Sequence, residues 1–222
     1  MVGYRGGGQA GAGGGRAGRA ALRAAGLAAG VLALAAAAWA EPREYAIDPA
    51  ASRFEVHTGT AGLLGGLAHE HTVRAGALQG RVRWDPAAPE QAEVEVTVQA
   101  RALIVADEGI EERTRQQIAE TMRREVLEVE RYPLIRFRSR RVVRVGEQLR
   151  VSGWLELHGV RREVVVPVAL AELPEGALLA EGEFRLRQSE FGIEPYSTAL
   201  GTIAVADEVA FRFRAVLRAR AR

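Results

Sequence analysis

The sequence has no cysteine, and none of its 30 basic residues is a lysine. Without cysteine there can be no disulfide, no thiolate nucleophile and no Cys-ligated zinc, so stability has to come from a packed core. The compartment stays open, because a chain of this length can fold in an oxidising space without a disulfide. A large charge of one sign is also missing: the formal net charge is +2. Arg5, Arg16, Arg19 and Arg23 precede residue 41, where no acid occurs, which leaves 26 basic against 28 acidic residues in the rest of the chain. A nearly neutral body offers no broad footprint for phosphates, so DNA, RNA and anionic membrane surfaces are disfavoured as main partners. No Gly-x-Ser-x-Gly elbow occurs, and Ser52, Ser139, Ser152, Ser189 and Ser197 lack a neighbouring base. Gly62, Gly65 and Gly66 are not followed by the Lys-Ser/Thr pair of a phosphate-cradling loop. Nucleophilic catalysis and a phosphate-bearing cofactor are therefore not expected, and the reading is of a protein that catalyses nothing, with a His-based metal-binding protein or metal-dependent enzyme as the alternative.

What is present begins with an address. Residues 1–23 are rich in Gly and Ala with four arginines, and Ala24 to Ala37 is an uncharged run carrying Leu27, Val31, Leu32 and Leu34. Ala38-Trp39-Ala40 then supplies the small-x-small pattern of a signal-peptidase site, followed by Glu41-Pro42. The reading is a cleaved signal peptide over residues 1–40 and a folded domain over 41–222. The competing reading, an uncleaved membrane anchor, is weaker because a short run of mostly alanine gains little from transfer into lipid. No twin-arginine pair precedes the run, which favours the general secretory route and a periplasmic or secreted destination.

Beyond the leader, apolar and polar residues alternate with a period of two, as strands with one wet face require. Val94, Val96, Val98 and Ala100 oppose Glu93, Glu95, Thr97 and Gln99; Ile135 and Phe137 oppose Arg136 and Arg138. Leu149, Val151, Leu155 and Leu157 share a face, Leu178, Phe184 and Leu186 share another, and Val209, Phe211, Phe213 and Ala215 share a last one. Further strands are predicted at Arg43–Ile47, Ser52–Thr58, Thr72–Trp84 and Arg161–Leu173. Asp48-Pro49, Asp85-Pro86 with Pro89, Val145-Gly146-Glu147, His158-Gly159 and Pro174-Glu175-Gly176 mark the turns. Eight or nine strands with short links make an all-β antiparallel sandwich or barrel, and closure into a barrel removes the unpaired edges. One segment breaks the period: Ile110, Ile118, Met122 and Val126 in Asp107–Glu130 have helical spacing. Asp107 is the expected N-cap and Tyr132-Pro133 the stop.

Several phrases resemble the YceI-like family of lipid or polyisoprenoid-binding proteins. They are Tyr45-Ala46-Ile47-Asp48-Pro49, Gly80-Arg81-Val82-Arg83-Trp84-Asp85, Tyr132 to Ser139, Gly153 to Val160, and Ser189-Glu190-Phe191-Gly192-Ile193. They stand in family order across nearly all of the predicted mature chain. The family often has a pair of phenylalanines near the helix end, where this chain has Val126-Leu127, and the stretch Gly62 to His71 looks like that of a sub-group. The resemblance implies a lipocalin-like antiparallel barrel of about eight strands with one inserted helix, holding an isoprenoid or other long apolar ligand.

The candidate ligand-binding residues on that reading are Phe54, Val56, Val94, Val96, Val98, Ile135, Phe137, Val151, Leu155, Phe184, Phe211 and Phe213 from the strands. Ile118 and Met122 of the helix and Phe191 join them. The same alternation would equally suit a solid core. His69-Glu70-His71 is the sharpest polar signal, since histidines two apart on a strand share a side and could hold a metal with His57 or His158 as a third ligand. Ligand-free histidines at the rim are the plainer reading, with hydrogen bonding to a quinone or phosphate head group at the barrel mouth between the two. His158 beside Gly159 reads as a turn residue. A homodimer is compatible with all of this.

Overall fold

The computed structural model describes residues 42–62, 70–198 and 203–220. The signal-peptide reading and His69 lie outside them. Twelve strands are found among the described residues: β1 (Arg43–Ile47), β2 (Arg53–Ala61), β3 (Thr72–Ala75), β4 (Leu78–Trp84), β5 (Glu93–Gln99), β6 (Leu103–Val105), β7 (Leu134–Val145), β8 (Gln148–Leu157), β9 (Val160–Glu172), β10 (Leu178–Arg187), β11 (Ser197–Thr198) and β12 (Ile203–Ala219). All pairings are antiparallel. The sheet runs β1-β4-β5-β7-β8-β9-β10-β12, and β12 returns to pair with both β1 and β2. Because β1 and β2, β3 and β4, and β5 and β6 are successive halves of bent strands, the result is a closed eight-stranded antiparallel barrel.

The expected single strand Thr72–Trp84 is one of these bent pairs. It breaks at Gly76-Ala77, where the Gly76 N–H donates to the Ala102 carbonyl at 2.9 Å and no room is left for a side chain. The strand in which Ile135 and Phe137 oppose Arg136 and Arg138 continues to Val145, past a bulge between Ser139 and Arg141 that inverts the alternation. Before it Ile135 and Phe137 face inward, and after it Val142 does, at 1% exposure. A strict period of two cannot follow a strand across such an irregularity. The β8–β9 link is a two-residue turn with His158 (φ 52°) and Gly159 (φ 74°) both in the left-handed region, the geometry that matches strand twist.

The helix is shorter than predicted. α1 spans Glu112–Thr121 and continues as a π-helical turn over Met122–Val126. Asp107 is not its N-cap; Glu111 holds that position without a side-chain cap, and Asp107 is used elsewhere. Gly109, at φ 74°, turns the chain between β6 and the helix.

The outer wall is charged. Arg81 and Arg138 both reach Glu95, Arg212 pairs with Glu183, and Arg185 with Glu208, each across neighbouring strands. The inner wall is aliphatic and aromatic. This is the reverse of a membrane-spanning barrel, whose apolar band faces outward. Among the described residues no helix is long and apolar enough to cross a membrane.

Candidate functional site

The inner wall does not meet in the middle. A packed cluster including Tyr45, Ile47, Trp84, Val142, Leu149, Leu178 and Leu217 closes one end of the barrel. A second, with Leu155, Leu157, Leu186, Phe191, Ile193 and Val209, lies towards the other end. Inward residues of the middle, such as Phe54, Val94, Val96, Val98, Phe137 and Phe184, are only half-buried although they face the interior. They border a cavity of about 520 Å³, within the range of small-molecule sites, roughly 300–1,000 Å³.

One wall of the cavity is a ladder of phenylalanines. Phe54 and Phe213 are cross-strand partners on β2 and β12 with ring centroids 5.6 Å apart, and Phe184 and Phe211 are partners on β10 and β12 at 5.1 Å. Near-parallel offset rings of this kind make a smooth apolar surface. Glycines on the inner face make room for the aromatic rings: a Cβ on Gly153 would come within 2.7 Å of the Phe137 ring, and one on Gly182 within 2.7 Å of the Phe213 ring.

The helix completes the lining. Ile118, Met122 and Val126, spaced by four, border the cavity together with Gln117, Thr121 and Leu127. Two arginines fasten the helix to the free edge of β6. Arg115 donates to the carbonyls of Val105 (3.1 Å) and Asp107 (2.8 Å), and Arg123 donates to that of Leu103 (3.0 Å). An unpaired strand edge is thereby satisfied by side chains instead of by another strand.

Of the candidate residues, Phe54, Val56, Val94, Val96, Val98, Ile118, Met122, Ile135, Phe137, Val151, Leu155, Phe184, Phe211 and Phe213 all line the cavity. Phe191 does not. It sits in a 3₁₀ turn after β10, is 0% exposed, and packs into the wall cluster at that end.

The histidines separate. His57 shares the outer face with Thr72, its cross-strand partner, and its Nδ1 lies 3.2 Å from the Thr72 hydroxyl. His71, the residue before β3, is turned to the inner face and borders the cavity. Two histidines on opposite faces of one sheet cannot share an ion, which corrects the grouping of His57 with His71. His158 is in the turn between β8 and β9, its ring tilted against that of Tyr132 at 4.3 Å between centroids and 3.2 Å from a Glu128 carboxylate oxygen. Among the described residues no three His, Asp or Glu side chains converge as a metal site.

The polar end of the cavity is built by register. The inner-face series of β2 is Phe54, Val56, Thr58; that of β3 is Ala75, Val73, continued by His71 just before the strand; and that of β6 is Leu103, Val105, continued by Asp107 just after it. Thr58, His71 and Asp107 therefore stand in one row. The His71 N–H donates to the Thr58 hydroxyl oxygen at 3.0 Å, and the Thr72 N–H donates to Asp107 Oδ1 at 2.6 Å. His71 Nδ1 meets Asp107 Oδ2 at 2.6 Å. Gln188, buried and donating to the Ala206 carbonyl, and Tyr196 also border the cavity. Reading Asp107 as a helix cap concealed it, although the alternation Leu103, Val105, Asp107 was visible in the sequence.

None of the curated proteins matches the chain. Solved structures do. BcnA of Burkholderia cenocepacia is 20% identical with a TM-score of 0.63, over 77% of this chain and 98% of that one. A polyisoprenoid binding domain from Saccharophagus degradans, implicated in plant cell wall breakdown, is 17% identical with a TM-score of 0.58, over 79% and 98%. The YceI protein of Campylobacter jejuni is 14% identical with a TM-score of 0.55, over 68% and 85%. At these identities the likeness is one of fold. Residues 45–217 match the YceI-like domain, and the closed antiparallel barrel with its single helix is that fold, so this chain belongs to the YceI-like family.

Proposed function

We propose that this chain is an exported carrier that shields the tail of an isoprenoid-type lipid from water in its barrel and does not transform it. The observation that carries the reading is the apolar cavity bounded by fourteen residues picked out from strand and helix periodicity. The Saccharophagus degradans domain, a polyisoprenoid binding domain of the same fold, supports it. Burial of hydrocarbon supplies about 0.8 kcal/mol per methylene-sized group, so a fifteen-carbon tail gives a gross term of about 12 kcal/mol. Association costs of several kcal/mol leave a useful affinity without any polar anchor. The leader and the Ala38-Trp39-Ala40 site support delivery to the periplasm or beyond.

Protein purified from its own cells tests both parts. Native mass spectrometry is expected to show a chain beginning at Glu41 with a bound lipid, released by organic solvent. An unprocessed chain would refute cleavage after Ala40, and a chain carrying no lipid and accepting none would refute the carrier reading.

A further inference from the structure

We propose that His71 and Asp107 form a recognition site for a head group bearing an O–H donor, such as a prenyl alcohol or phenol. This rests on the carrier reading and narrows it. Asp107 is fixed first: its side chain is 9% exposed, and its Oδ1 accepts the Thr72 N–H at 2.6 Å. The second oxygen, Oδ2, faces His71 Nδ1 at 2.6 Å, and a carboxylate can only accept. A singly protonated His71 ring therefore carries its proton on Nδ1. Its Nε2 is left as a lone-pair acceptor.

An acceptor at the polar end of an apolar cavity selects a ligand that donates. A hydroxyl can donate to Nε2; an ether or a ketone cannot. Anionic heads fare worse, because the nearby guanidinium groups are already engaged. Arg115 and Arg123 serve main-chain carbonyls on β6 and its continuation, and Arg212 pairs with Glu183 on the outer wall. Among the described residues the one arginine that borders the cavity is Arg212, whose guanidinium is held by Glu183, and Asp107 adds negative charge beside the site.

The test compares three ligands with one tail: geranylgeraniol, its methyl ether and its diphosphate, each competed against a fluorescent apolar probe. The unmodified chain is expected to bind the alcohol about tenfold more tightly than the ether, the value of one net hydrogen bond, and the diphosphate least. His71→Ala should bring alcohol and ether to equal affinity. Asp107→Asn is the sharper variant, because it keeps the shape. Its Oδ1 must still accept from the Thr72 N–H, so its amide donates to Nδ1 and drives the ring proton to Nε2, and the alcohol's advantage should again vanish. Equal binding of alcohol and ether by the unmodified chain, a preference surviving either substitution, or tightest binding of the diphosphate would each overturn the proposal and leave the carrier reading standing. Binding of none of the three would overturn both.

Discussion

The ring of Phe213 rests against the bare α-carbon of Gly182, its cross-strand partner on β10. A methyl group there would meet both that ring and the Pro167 carbonyl oxygen, and main chain does not yield cheaply. Gly182→Ala is expected to cost about 1–3 kcal/mol by overpacking and to narrow the cavity. Thermal unfolding with apolar-probe titration on the same sample checks this: an unchanged melting temperature with unchanged probe affinity would show that the contact is slack.

Filling the hollow separates binding from folding. Val96 faces the middle of the cavity and is half-buried. Val96→Phe places its extra atoms in open space, so stability should hold or rise while affinity for a prenyl ligand falls more than tenfold. Full binding by a well-folded Val96→Phe protein would mean that the ligand does not use the barrel interior.

Helix anchoring gives a third expectation. Arg115 is the tie between the start of α1 and the edge of β6, serving the Val105 and Asp107 carbonyls. Hydrogen bonds from a charged donor contribute about 1.5–3 kcal/mol each, much of it here confined to holding the helix. Arg115→Ala should raise amide exchange over Glu112–Val126 and speed lipid release, with little change in the exchange of β8 and β9. Uniformly raised exchange would show that the arginine supports the whole barrel.

Acid should loosen the outer wall. The Arg218 guanidinium, 2.6 Å from Asp48, holds that carboxyl below its ordinary value; Arg81 does the same to Glu95, and the Ser189 hydroxyl and N–H to Asp207. A carboxylate depressed in the folded state contributes stability that is present above its unfolded value, near 4. That contribution is lost as the pH drops through the lower folded value. Urea midpoints should thus be flat from pH 7 to 5 and fall below about pH 4. Asp48→Asn should flatten part of that fall; an identical acid profile would remove Asp48 from the account.

The sequence alone determined the alternation that makes a one-faced sheet, the turns that break it, the helix stripe, and therefore a barrel with fourteen of its lining positions. Local chemistry sets these, since strand faces repeat every two residues and glycine or proline ends a run. Tertiary structure decided the rest. Register placed Asp107 opposite His71 across β3 and β6, two segments whose pairing no local pattern encodes. A bulge carried β7 past the point where its alternation inverts, and strand parity sent His57 and His71 to opposite faces. The space at the centre depends on how far apart the closed wall holds its side chains. An inward phenylalanine has the same neighbours along the chain whether the middle of the barrel is filled or hollow.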